Sequence, residues 1–218
     1  MRVLVGPDTD DLAQLYAVPR TPWLRVNMVG TVDGAATGED GRSGSINNAV
    51  DQRVFQQLRA MADVVIVGAG TARAEGYRVA DRPLVLVSRR AEVPEQLRDA
   101  PAGSVLMATC GSAERLDHAR AVLGAEQVLV LGSHRVDLGL LKQVLADRGW
   151  GHQLCEGGPH LLRDLVAAGV ADELCSTTVP RLVAGEHPRI TQGPPVDVPL
   201  RLHLLLESEH TLLARWLT

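Results

Sequence analysis

Short apolar runs alternate along this chain with stretches whose apolar residues recur at helical spacing. Trp23 to Thr31 reads as a strand. Val64–Val67 is a continuous β-branched run, the mark of a strand buried on both faces, and Leu84–Val87 repeats it. Val105–Ala108, Val128–Leu131 and Leu174–Val179 add three more, and another short run ends near Cys155. Between them, Val50, Val54, Leu58 and Met61 mark a helix over Ala49–Ala62, with Asn47 or Asn48 placed to cap it. Leu116–Leu123, Leu138–Arg148 and Pro159–Ala168 give three further helices. Alternation of this kind predicts a three-layer α/β/α fold around a mixed, mostly parallel sheet. Leu202–Leu206 and Thr211–Leu217, joined by a polar turn, predict a β-hairpin at its C-terminal edge.

Residues 1–22 read as a leader arm packed on the domain, with Leu12, Leu15 and Tyr16 as its apolar face; residues 23–218 form one domain. Gly34 to Ser45 holds four glycines and no periodicity, so it is a loop. The leucine-rich hairpin would be an exposed liability at a sheet edge, which predicts either a two-fold dimer or cover from the arm and helices.

Composition narrows the classes of function. Hydrophobic residues make up 45% and charged residues 22%, as in ordinary globular proteins. A net charge of −4 and only 3% aromatics disfavour nucleic acid as a partner. Three widely spaced cysteines (Cys110, Cys155, Cys175) predict buried, reduced thiols in a cytoplasm, and the seven scattered histidines predict no metal. No signal-peptide pattern and no membrane-spanning apolar run occurs.

Ligands of open α/β sheets gather at the carboxyl ends of the strands. Those ends carry Thr31-Val32-Asp33-Gly34, Gly68-Ala69-Gly70-Thr71, Ser88-Arg89-Arg90, Gly132-Ser133 and Glu156-Gly157-Gly158-Pro159, which describes a crevice for a large polar cofactor. Gly157 and Gly158 permit close backbone approach, and Pro159 suits the first position of a helix whose free N–H groups attract phosphate. Gly68-x-Gly70 alone is equally a tight turn, because Arg73 stands where the dinucleotide fingerprint needs its third glycine. Ser88 and Arg89 suit a 2′-phosphate, and are equally consistent with a solvated loop. Asp33 with Gly34 is a common turn pair. Together with Glu156 it offers a second carboxylate that could orient a substrate or supply a proton.

Val32-Asp33-Gly34, Val67-Gly68-x-Gly70-Thr71, Glu156-Gly157-Gly158-Pro159 with Leu161-Leu162, Val170-x-Asp172-Glu173-Leu174 and Pro180-x-Leu182-Val183-x-Gly185 follow one another in that order. From about Trp23 onward the chain resembles the C-terminal reductase domain of bacterial riboflavin-biosynthesis proteins, a family similar in fold to dihydrofolate reductase. The arm and length resemble its actinobacterial single-domain relatives, and the motifs of the deaminase domain often fused upstream are absent. The resemblance implies an NADPH-dependent reductase, dimeric, acting on a ribosylaminopyrimidine phosphate of the 5-amino-6-(5-phosphoribosylamino)uracil type. It implies that Thr31, Gly68, Thr71, Gly157, Gly158 and Leu161 line the cofactor, that Asp33 and Glu156 act on the substrate, and that Ser45 and Arg53 lie near it. Two segments depart from the family. Glu75-Gly76-Tyr77-Arg78 replaces the usual Asp-Asp-Pro, and Ser43-Gly44-Ser45-Ile46-Asn47 lacks the usual tryptophan. These changes leave a pterin such as dihydrofolate, or a non-catalytic nucleotide-binding role, as alternatives.

Overall fold

A computed structural model describes residues 1–79 and 81–218. Ten strands form one sheet: β1 (Arg2–Val5), β2 (Trp23–Thr31), β3 (Val64–Gly68), β4 (Leu84–Val87), β5 (Val105–Thr109), β6 (Val128–Val130), β7 (His152–Cys155), β8 (Glu173–Val179), β9 (Arg201–Ser208) and β10 (Thr211–Leu217). Their spatial order is β1-β9-β10-β8-β2-β7-β3-β4-β5-β6. The run from β8 to β6 is parallel throughout, and β10, β9 and β1 pair antiparallel beyond β8. The mixed, mostly parallel sheet is the one expected.

Among the described residues six α-helices cover both faces: α1 (Leu12–Leu15), α2 (Ala49–Met61), α3 (Ala69–Glu75), α4 (Leu116–Leu123), α5 (Leu138–Asp147) and α6 (Pro159–Ala167). Side chains alternate across a strand. Val64 and Ile66 therefore pack with Leu141 of α5 and Leu162 of α6, while Val65 and Val67 pack with Ala72 of α3 and Ala119 of α4. Leu154 joins α1 and α2 in a third cluster, and the next residue, Cys155, faces α5 and α6. Helix ends follow local chemistry. Asn48 caps α2 by accepting from Asp51 N at 3.0 Å, and Gly76, at φ 72°, ends α3 in the left-handed region.

The arm contains a strand that the apolar pattern did not predict. β1 pairs with β9, matching Arg2 to Glu207 and Val3 to Leu206, so the hairpin is not the sheet edge. That removes the edge-exposure argument for a dimer through the hairpin. α1 places Leu12, Leu15 and Tyr16 against Val50, Val54 and Leu58 of α2. The carbonyls that follow α1 meet a buried charge cluster. Arg25 of β2 and Arg215 of β10 flank Glu173 of β8, and they donate onward to the carbonyl oxygens of Leu15, Tyr16 and Ala17.

β7 shapes the site by stopping short. It lies between β2 and β3 and ends at Cys155, opposite Val26 and Ile66. β2 continues five residues further to Thr31, and β3 continues to Gly68. The chain past Cys155 keeps two bonds to β3, Glu156 N to Ile66 O and Gly68 N to Gly157 O, and then turns into α6 at Gly157–Gly158.

Candidate active site

The strand ends bring Thr71, Ser88 and the Gly157–Gly158 pair to the same edge of the sheet. Gly68 N donates to Gly157 O at 2.8 Å, and Thr71, on the first turn of α3, lies against Gly158. Val87 is the register partner of Gly68, so Ser88 follows one residue beyond it.

Both glycines have protein-internal reasons to be glycine. Gly157 has φ 82°, and a Cβ there would sit 2.8 Å from the Met28 sulfur. A Cβ on Gly158 would collide with the Thr71 hydroxyl. Close approach is thus required first by β2 and α3. Gly158→Ala is expected to destabilise the protein, and Thr71→Ala in the same chain to restore most of the loss. A double-mutant cycle of urea unfolding checks this, and additive effects would mean that the two sites do not touch.

α6 begins at Gly158 and Pro159 with no side-chain cap and no acidic residue in its first turn. Pro159 carries no N–H and Leu162 N donates to Gly158 O, so His160 N and Leu161 N are the groups an anion could meet. Ser88 is half-buried, Arg89 and Arg90 are exposed, and the Ser88 hydroxyl accepts from Arg90 N at 3.3 Å. A Cβ added at Gly70 would meet open space. Leu161 is largely buried and packs in the core with Met28.

Asp33 stands exposed just past β2. The Thr31 hydroxyl donates to its Oδ1, while Val183 N and Ala184 N donate to its Oδ2 at 3.1 and 2.8 Å. Thr31 itself is buried and accepts from Ala35 N at 3.0 Å. The bond from Thr31, followed by the backbone donors, holds the Asp33 carboxyl at about 2. It is therefore ionised at neutral pH, which departs from the expectation that Asp33 could donate a proton. Because its pKa is depressed on folding, the latch on the 181–185 loop is complete above the ordinary carboxylate range and is lost only as pH falls towards about 2. Arg181 of the same loop donates to the Ser45 carbonyl, bringing the 43–45 turn beside it. Arg53 is exposed on α2, and no described hydrogen bond ties it to Asp33 or Glu156.

Glu156 also departs from expectation. Its carboxylate is not free to face a substrate. Arg59 of α2 donates to it twice, from Nε at 2.6 Å and Nη2 at 2.7 Å, and Tyr77 Oη donates to Oε2 at 2.6 Å. A buried carboxylate needs such partners. Neither Arg59 nor Tyr77 stood out in the sequence, where they lie 97 and 79 residues from Glu156. Tyr77 belongs to the Glu75-Gly76-Tyr77-Arg78 run noted above, and nothing in the spacing of Arg59 points to Glu156.

Among the described residues no group of metal-ligating side chains occurs, and no helix is long and apolar enough to cross a membrane. All three cysteines are buried and unpaired, and burial pushes Cys155 up to about 12.

Comparison with known proteins gives a consistent result. The family model described as the RibD C-terminal domain matches residues 22–213. A 2,5-diamino-6-ribosylamino-4(3H)-pyrimidinone 5′-phosphate reductase of Archaeoglobus fulgidus is 27% identical over 193 residues, covering 79% of this chain and 87% of that protein. The riboflavin biosynthesis protein RibD of Chlamydia trachomatis is 31% identical over 202 residues, covering 78% of this chain and 53% of that protein. The crystal structure of a pyrimidine reductase-like protein from Corynebacterium diphtheriae shares the fold, with a TM-score of 0.79 at 24% identity over 94% of this chain and 97% of that one.

Proposed function

The chain belongs to the RibD C-terminal domain family, and from that premise we propose that it is an NADPH-dependent reductase of a ribosylaminopyrimidine 5′-phosphate in riboflavin biosynthesis. The observation that carries the proposal is the early end of β7 between the longer β2 and β3. It is flanked by Thr31 and Asp33 on one side and by Gly68, Thr71 and Ser88 on the other, with the uncapped start of α6 at its base. From β2 to β4 is three strand spacings, roughly 14 Å, room for an extended dinucleotide.

The donor set fits that cofactor. The free N–H groups of α6 suit the pyrophosphate, while Ser88 and the exposed Arg89 suit a 2′-phosphate. NADPH, when bound, supplies the hydride. Thr71 and Gly157–Gly158 would hold the dinucleotide against the sheet end. Asp33, ionised, would accept hydrogen bonds from the substrate's hydroxyl or amino groups, and Ser45 and Arg53 would line the far side. The enzyme would be cytoplasmic, in keeping with its reduced thiols, and a homodimer. Leu4 and Val5, exposed on the edge strand β1, support pairing between copies, which sedimentation would test.

The direct test is oxidation of NADPH, followed at 340 nm, with the diaminopyrimidinone and aminouracil ribosyl phosphates and with dihydrofolate. Turnover is expected with a ribosyl phosphate, with NADPH preferred over NADH. Activity on dihydrofolate alone, or tight NADPH binding with no turnover on any of them, would refute the assignment.

A further inference from the structure

We propose that Arg59 and Tyr77 are positioning residues for the cofactor, acting through Glu156 to fix the Gly157–Gly158 segment. The inference rests on the preceding assignment of that segment to the cofactor, and it adds two residues that touch none of the other groups assigned there.

Two consecutive glycines have no side chains to hold them, so their shape must be set from outside. Downstream, Pro159 and α6 do this. Gly68 N, Met28 and Thr71 hold them from β3, β2 and α3. Immediately upstream the adjoining side chain is that of Glu156, which is 3% exposed and takes three donors. The Arg59 fork fixes the carboxylate in plane as well as in position, which a lysine ammonium would not do. The guanidinium is itself held, 4.4 Å from the Phe55 ring and 5.8 Å from the Tyr77 ring. Burial, and then the charge of Glu156, keep the Tyr77 phenol well above its ordinary value, so it remains a donor at neutral pH.

α3 joins the same assembly at two points. Thr71 abuts Gly158, and Tyr77, just past the left-handed Gly76, reaches Glu156. The segment that carries Tyr77 is also tied across the site, since Glu75 Oε1 accepts from Ser43 N at 2.8 Å. Tyr77 is part of the Glu75-Gly76-Tyr77-Arg78 run that closes the turn after α3.

Tyr77→Phe keeps the ring on Arg59 and removes one charge-assisted hydrogen bond. The Kd for NADPH, by fluorescence titration, is expected to rise about three- to tenfold. The KM for the pyrimidine substrate and kcat at saturation should stay within twofold. Arg59→Lys, which keeps the charge and loses the fork, is expected to weaken NADPH further and serves where the first variant proves unstable. A residue that merely supported the fold would lower Tm and leave Kd alone. An unchanged NADPH Kd in both variants, or a rise in substrate KM in place of NADPH Kd, would overturn the proposal. If the wild-type protein itself fails to bind NADPH, the cofactor assignment falls and takes this inference with it, an outcome distinct from variants that bind as well as wild type.

Discussion

Glu173→Gln is expected to lower the unfolding free energy by about 3–5 kcal/mol, and Tm by on the order of 10 °C for a chain of this length. Glu173 is fully buried between two guanidiniums. Arg25 donates from Nε at 2.7 Å and Nη2 at 3.3 Å, and Arg215 from Nε at 3.0 Å and Nη2 at 2.8 Å. Trp23 Nε1 and Cys175 Sγ complete its shell at 3.0 and 2.9 Å. Glutamine would leave two buried positive charges facing a neutral amide whose own N–H groups point at donors. The surplus charge of the native cluster is met by the arm: the carbonyls of Leu15, Tyr16 and Ala17 accept from the two arginines, whose planes lie 5.6 and 5.4 Å from the Tyr16 ring. Loss of Glu173 should therefore loosen the arm first, seen as faster amide exchange over residues 12–17. Glu207→Gln, which removes a half-exposed ion pair with Arg2 and keeps an oxygen for His210 N, is the control and should stay within about 0.5 kcal/mol of wild type.

Acid unfolding gives an independent check on the cluster. Burial is the largest single influence on Glu173 and would raise its pKa. The Arg25 charge and the hydrogen bonds from both arginines together outweigh it and bring the group from 4.5 down to about 2. A carboxylate depressed on folding stabilises fully above its unfolded value and loses that contribution as pH falls through its folded value. Stability should thus fall between about pH 4.5 and 2 in the wild type, and less steeply in Glu173→Gln. A variant with wild-type Tm and wild-type acid slope would show that the cluster does not anchor the arm.

Local pattern carried the layers of this fold because burial of whole strands is written residue by residue. Trp23–Thr31 is the observed β2 to the residue, and the helices over Ala49–Ala62 and Pro159–Ala168 are reproduced to within one position at their ends. β1 was missed because four residues beside Gly6-Pro7 carry no period, and their partner β9 lies some 200 positions away. Arg25, Glu173 and Arg215 were legible in principle. Arg25 and Arg215 are charges inside apolar strand runs and Glu173 stands at the start of one, which calls for a buried counter-charge even when the partner cannot be named. The site was legible as a set of strand ends, since parallel strands must deliver their carboxyl ends to one edge. What each side chain does there was not. Glu156 reads as a free carboxylate until Arg59 and Tyr77 come in from α2 and the end of α3. Gly157 and Gly158 read as space for a ligand until Met28 and Thr71 are found against them.

Asp33→Ala is expected to reduce kcat/KM about a hundredfold, the scale set by an ångström-sized misplacement of reacting groups, while the NADPH Kd changes less than twofold. The carboxylate does two things at once. It presents a fixed negative charge at the end of β2, and it holds the 181–185 loop through Val183 N and Ala184 N. Ala184 sits at φ 51°, a left-handed conformation that alanine does not favour and that must be imposed from outside. Asp33→Asn separates the two roles. Its amide oxygen can still accept from both backbone N–H groups, so the loop stays closed, while the charge and the acceptor of the Thr31 hydroxyl proton are lost. If the asparagine variant falls as far as alanine, the charge itself acts on the substrate. If it turns over like wild type while alanine does not, the loop is what matters. Asp33 is already ionised well below neutrality, so neither role should add a limb to the wild-type rate profile between about pH 5 and 9. Wild-type kinetics in Asp33→Ala would remove the residue from the reaction altogether.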